Sequence, residues 1–263
     1  MNPRQLALDA LLSPEADEKC AAVKAIAPAI DEQTVAPPDR HRLATEALPG
    51  RTARPPLVPP ARVAQRPVTS PAGRAALLHS LAHIELNAVN LALDIVWRFD
   101  DLPADFYRDW LSVAREEVYH FELLRDHLST MGTAYGDLPA HDGLWEMAEK
   151  TRGDVLARLA LVPRTLEARG LDAAPLIRDK LRGVGDHGAA TILEIILRDE
   201  IGHVAIGNRW YRWLCARRGL DPVACQAELA RRYRAPRPRG PFNLAARRAA
   251  GFDERELALL QAD

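Results

Sequence analysis

Two six-residue segments repeat one pattern: Arg115-Glu116-Glu117-Val118-Tyr119-His120 and Arg198-Asp199-Glu200-Ile201-Gly202-His203. Each reads Arg, acid, Glu, x, x, His. Each lies deep inside a helically patterned stretch, away from the glycines and prolines that end helices. At i and i+3 the Glu and the His share one helix face, so both can reach a single ion. A chain that carries two such pairs in mid-helix needs an interior that accepts carboxylates and imidazoles, which points to a helical bundle with a polar core. With 16 Glu and 8 His, one Glu-x-x-His arises by chance in about every second such chain. Two matches that also share the preceding Arg-acid pair are far less readily accidental.

The rest of the pattern is helical too, and no strand-like alternation occurs, so the expected fold class is all-α. Residues 1–27 suit one or two short helices broken near Ser13-Pro14, with Ala21, Val23 and Ile26 as apolar contacts. From Pro28 to Pro71 frequent prolines forbid long helices and favour extended chain. This stretch reads as a flexible linker or, the favoured alternative, an arm laid over the core with Val58, Val63 and Val68 as candidate anchors. A first long helix is expected from about Gly73 to Phe99 and a second from about Ala104 to Met131, stopped by Gly132. Gly132 to Gly143 is too long for a tight hairpin and suits a crossover. A third helical region starts near Leu144, interrupted by Pro163, Gly170 and Pro175. A fourth helix runs from about His187 to Arg218, closed by Gly219 and Pro222. The expected organisation is therefore 1–72 short helices and proline-rich arm, 73–218 four-helix bundle, and 219–263 basic extension.

Hairpin arithmetic adds two carboxylates. Glu85 and Glu117 lie 32 residues apart, centred on the Asp100-Asp101-Leu102-Pro103 turn. Residues equidistant from the turn of an antiparallel hairpin stand at one height, so Glu85 faces Glu117. Glu167 and Glu200 are 33 apart, centred on Gly183-Val184-Gly185, although Gly170 and Pro175 break the helix between them. Glu194, the nearest rival, points about 120° away from the Glu200 face. Glu146 and Glu149 sit too far up the third helix.

The expected metal ligands are thus Glu85, Glu117, His120, Glu167, Glu200 and His203. Four carboxylates converging in a bundle core repel one another and lose hydration. Two divalent cations offset the four charges, and two imidazoles complete the set. Carboxylate and imidazole without thiolate suit iron, with manganese compatible, better than structural zinc. The ordinary alternative, surface ion pairs on amphipathic helices, accounts well for one Glu-x-x-His but poorly for six residues with matched spacing.

Charge and cysteine usage narrow the setting. A formal net charge of −1 gives no global field for nucleic acid or membrane. The segment Arg231 to Arg248 is locally basic and free of acids, which suits either a solvated tail packed against the acidic body or contact with phosphates, with tRNA as the candidate partner. Three cysteines, none in a C-x-x-C pair, form neither a disulfide framework nor a zinc knuckle. With no apolar stretch near the roughly 20 residues of a membrane span, a cytoplasmic protein without a membrane partner is expected.

These residues resemble the ferritin-like di-iron carboxylate superfamily, whose pattern is Glu, Glu-x-x-His, Glu, Glu-x-x-His on four helices. The resemblance spans about residues 73 to 218 and implies a ferritin-like four-helix bundle with a long crossover between its second and third helices. It also implies that Asp199 and Glu116 orient ligand histidines through the free ring nitrogen. More closely, His83-Ile84-Glu85-Leu86-Asn87-Ala88, the run from Pro139 to Met147 and Leu161-Val162-Pro163-Arg164-Thr165-Leu166-Glu167-Ala168-Arg169-Gly170 look like an uncharacterised bacterial family of ferritin-like proteins. Here the likeness covers nearly the whole chain. Wider relatives include the di-iron hydroxylase that modifies a tRNA adenosine side chain. Departures matter. Leu124 stands where radical-generating reductase subunits have tyrosine, there is no C-x-x-C iron domain, and long appendages flank the bundle. Such appendages could cap a substrate pocket or make a homodimer.

The expected activity is O₂-dependent oxidation or hydroxylation of a small or tethered organic substrate. Electrons would come from a separate reductase protein, because no flavin or nicotinamide motif is present. The alternatives are a ferroxidase-type or non-catalytic iron-binding protein, and a helical interaction module with a vestigial site. One further pattern stands out. His83, Asn87, Asn90 and Asp94 form a stripe about 160° from Glu85. These are poor mid-helix residues, and the stripe is read as a buried hydrogen-bond network holding the arm or the crossover. His141 is assigned to a turn, Tyr119 and Gly202 point away from the ligands, and the five tryptophans are assigned to core or interface.

Overall fold

The computed structural model describes residues 2–26, 30, 35–41, 47–63 and 66–262. The described residues are all-α, with no strand and one isolated bridge, between Leu57 and Ala140. The chain forms two compact units, 1–145 and 146–263. No helix among the described residues is long and apolar enough to cross a membrane.

The first unit is organised around α3 (Pro71–Arg98), which follows the short helices α1 (Pro3–Leu12) and α2 (Ala16–Ala25) and precedes α4 (Ala104–Thr130). Ser70 starts α3 by accepting from the Gly73 N–H at 3.0 Å, and Pro71 supplies the fixed φ suited to a first turn. From Asn87 to Trp97 every residue of α3 is buried. A helix covered all round must be packed on several sides, and α1 and α4 both pack on it. Its C-terminal carbonyls are satisfied from outside: Arg4 donates to Val96 O at 3.0 Å and Trp97 O at 2.8 Å, and pairs with Asp100. Gly132, at φ +73, ends α4 in a left-handed turn.

The segment before α3 and the loop after α4 are tied together. Val58 N–H donates to Ala140 O at 2.8 Å, and Ala140 N–H to Pro56 O at 3.1 Å. Arg51–Asp142 and Arg54–Asp137 ion pairs flank this contact. Val58, Val63 and Val68 are half-buried; in the N-terminal part, Val23 and Ile26 are buried while Ala21 is exposed. Positions 27–29, 31–34, 42–46 and 64–65 of the expected N-terminal segment and arm lie outside the described residues.

α5 (Gly143–Lys150) is a short helix at the end of the crossover. In the second unit the third helical region is less broken than its glycine and prolines suggest. α6 (Val155–Leu161) runs through a π segment (Val162–Glu167) into α7 (Ala168–Gly183) without interruption. Pro163 cannot donate an N–H to the preceding turn, and the wider π turn absorbs the defect. Gly170 and Pro175 lie inside α7 and do not end it. That corrects the expected break between Glu167 and Glu200.

α8 (His187–Arg218) has the expected bounds, capped by Asp186 accepting from the Ala189 N–H and by Gly219 at φ +65. The C-terminal helices α9 (Pro222–Arg232), α10 (Leu244–Ala249) and α11 (Glu254–Ala262) pack onto this unit. Ala246, Ala250, Phe252 and Leu257 share a core with Ala168, Leu171 and Val204, and Arg247 is buried against Asp172 at 2.6 Å.

Candidate metal centre

The turn between α3 and α4 sets one half of the expected ligand set. Tyr107 O–H donates to Phe99 O at 2.9 Å and pins the turn, and Asp101 takes a positive φ there. The antiparallel pair then brings Glu85 level with Glu117 and His120. All three are buried, and one ligand atom from each lies within 4.8 Å of the others, so this buried Glu/His group could hold a metal ion. His120 Nδ1 stands 3.3 Å from Glu117 Oε2 and 3.3 Å from Glu85 Oε2. One N–H cannot point at both. Glu117 takes the hydrogen bond, and Glu85 Oε2 is left buried without one.

Such an arrangement is costly for a protein and suited to a cation. Burial, together with the Glu117 charge, pushes the Glu85 carboxyl up to about 7. For His120, burial opposes the charge, but the hydrogen bonds and charges of Glu117 and Glu85 outweigh it and raise the imidazole to about 11. Both shifts favour added positive charge at this spot, which a metal ion would supply.

The second unit holds the other half. Glu200 and His203 are buried on α8, with His203 Nδ1 3.5 Å from Glu200 Oε1. Glu200 Oε2 is buried with no hydrogen-bond partner among the described residues. Glu167, half-buried, occupies the last position of the π segment, so the local widening of the helix sets its direction. It is not drawn into one tight group with Glu200 and His203 as Glu85 is with Glu117 and His120. Glu194 is exposed and paired with Arg182 at 2.5 Å, as suits a residue off the ligand face. Asp199 is half-buried and paired with Arg198 at 2.7 Å, and Glu116 is exposed.

Several smaller expectations have clear outcomes. The α3 stripe is a buried network: His83, Asn87, Asn90 and Asp94 are all buried. His83 meets Tyr135 O–H at 2.8 Å, and Arg51 from the arm donates to both Asn87 and Asp142. His141 Nδ1 accepts from Gly143 N–H at 3.3 Å and serves its turn. Tyr119 and Gly202 are exposed; Trp97, Trp110, Trp145 and Trp210 are buried and Trp213 half-buried. Lys19, buried on α2, and half-buried Arg51 of the arm carried no legible signal, whereas buried His79, one helical turn before His83, extended a stripe already visible.

The structure therefore defines an all-helical protein in which each unit carries a buried carboxylate–imidazole pair. Residues 12–258 match the family described as protein of unknown function (DUF455), and the chain belongs to that family. It is 51% identical over 211 residues to an uncharacterized protein of Haemophilus influenzae, covering 78% of this chain and 73% of the relative. No solved structure matches.

Proposed function

We propose that Glu85, Glu117, His120, Glu167, Glu200 and His203 hold a dinuclear centre, and that the protein is a di-iron oxidoreductase. In this reading α3, α4, α6–α7 and α8 are the four helices of a ferritin-like bundle, with residues 132–143 as its crossover. The observation that carries the reading is the buried trio Glu85, Glu117 and His120, whose potential ligand atoms converge and in which one Glu85 oxygen has no hydrogen bond. The same Glu–His pair recurs on α8, also with an unsatisfied buried oxygen. Nitrogen and oxygen donors without sulfur fit iron, with manganese compatible.

Bound ferrous ions would supply the electrons that reaction with O₂ requires. The protein's own residues have the complementary tasks. Glu85 and His120 must release protons for the ions to bind, and the burial of Glu85, Glu117 and His120 limits the approach of water. Asp199 and Glu116 would orient histidines, as the superfamily resemblance implies. A substrate that is organic, with electrons from a separate reductase, completes the reading. The test is metal content and O₂ uptake after anaerobic loading with ferrous ion. About two irons per chain are expected, lost in Glu117→Ala and Glu200→Ala; less than one metal, unchanged by those substitutions, refutes the centre.

A ferroxidase-type iron-binding protein is the second reading, favoured by the same ligand group. It requires that iron oxidation consume O₂ with no organic substrate or reductase.

A further inference from the structure

The face of α3 opposite Glu85 opens onto a cavity of about 620 Å³ within the first unit, and the proposed metal chemistry does not use it. That volume lies in the range of metabolite-binding pockets. Its polar wall has a defined direction. Arg51 has only donors, so the Asn87 atom it meets at 3.3 Å is Oδ1. The Asn87 amide nitrogen then faces His83 Nε2 at 2.9 Å, which makes Nε2 an acceptor and leaves the ring hydrogen on Nδ1. That Nδ1–H donates to the Tyr135 oxygen at 2.8 Å. The phenol hydrogen must therefore point away from His83, and no acceptor among the described residues takes it. Tyr135 is held in place by stacking on His79 and an edge contact with Phe121.

Beside it lies a buried amine. Lys19 donates to Asn90 Oδ1 at 2.6 Å and to the carbonyls of Leu11 and Gly50 at 3.2 Å, and no carboxylate pairs with it among the described residues. A buried cation without a counter-charge is costly. Arg51, paired with Asp142 at 2.6 Å, adds guanidinium donors to the same wall. Glu15 and Asp17 are on the rim, exposed, with Asp17 paired to Arg125. Leu57, Leu86 and Phe121 give the wall an apolar portion, and Arg54, Arg125 and Ser129 also line it.

We propose that this cavity binds a small organic anion, its carboxylate or phosphate oxygens received by Tyr135 and Arg51, its charge set beside the Lys19 ammonium, and its carbon portion against Leu57, Leu86 and Phe121. The anion supplies the charge Lys19 lacks and the acceptor Tyr135 lacks. This site is independent of the metal reading.

Calorimetric titration of the full chain with hexanoate, inorganic phosphate and hexan-1-ol tests it. Hexanoate or phosphate should bind saturably and hexan-1-ol should not; which anion binds tells carboxylate from phosphate. Tyr135→Phe removes one oxygen atom and should weaken binding about tenfold, and Lys19→Met should weaken it at least as much. Where Lys19→Met does not fold, Tyr135→Phe decides alone. No binding of either anion up to ~20 mM, or binding unchanged in Tyr135→Phe, overturns the proposal. The outcome is separable from the metal centre, because iron content in Tyr135→Phe should equal that of the unsubstituted protein.

Discussion

Gly207 of α8 lies so close to Pro163 of the π segment that a Cβ added there would stand 2.7 Å from the proline Cβ. Neither atom belongs to a flexible side-chain end, so a methyl group cannot be accommodated by a rotamer change. Gly207→Ala should destabilise the protein by about 1–3 kcal/mol, as overpacking does. Gly170→Ala, with open space around its Cβ position in α7, should instead add up to ~1 kcal/mol through helix propensity. Denaturant unfolding of the pair checks both signs.

Metal uptake should release protons. Glu85 is raised to about 7 and His120 to about 11, so both hold protons that a cation must displace. Affinity should therefore climb as pH rises from about 6 to about 8, by roughly one log unit per pH unit for each proton displaced. Metal titrations in buffers of different ionisation enthalpy measure the released protons. A flat profile would contradict the raised pKa of Glu85 and His120.

Lys19 gives a pH dependence of the opposite kind, in stability. Burial, reinforced by the Arg51 charge and only partly opposed by Cys20, lowers its pKa from 10.5 to about 7. Below pH 7 the amine is charged in both folded and unfolded chains, and the cost of burying it is fully felt. Above that, the folded chain releases the proton while the unfolded chain keeps it until about 10.5. Stability from this residue should rise with pH across that window, by at most about 1.4 kcal/mol per pH unit. Lys19→Met should lack that slope in unfolding measured at about pH 6.5 and about pH 9.

For the basic C-terminal segment, structure divides the arginines. Arg247 is buried against Asp172 and Arg248 pairs with Glu254, whereas Arg231, Arg232, Arg234, Arg237 and Arg239 are exposed. If tRNA is a partner, Arg234→Ser, Arg237→Ser and Arg239→Ser should each weaken binding and reduce its salt slope by roughly one. Arg247→Ser should act through stability instead. Binding that ignores the three exposed substitutions removes tRNA from consideration at this segment.

Much of this architecture is legible because its signals are local. Ser70-Pro71, Asp186, Gly132 and Gly219 mark helix ends through caps and turn chemistry that need no tertiary context. Glu85 follows from Glu117 because hairpin geometry converts a turn position into a height. The third helix is less legible, since Pro163 and Pro175 read as breaks when judged by propensity alone. A π turn absorbs the first, and α7 continues past the second. The place of Glu167 depends on that turn, which nothing in the spacing of residues announces. Lys19 and Arg4 are illegible for another reason: their roles lie in bonds to residues 71 and 92–96 positions away, where periodicity carries no information.

α3 has one further consequence. Glu85 is fixed on one flank by its contact with α4, and His83, Asn87 and Asn90 are bonded on the other to the crossover, the arm and α2. The helix is thus an axle gripped from both sides. It cannot turn or slide to suit one set of contacts without displacing the other. A molecule that repositions Tyr135 or Asn90 would therefore move the Glu85 carboxylate as part of the same rigid rotation, with no chain of intermediate side chains needed to carry the change.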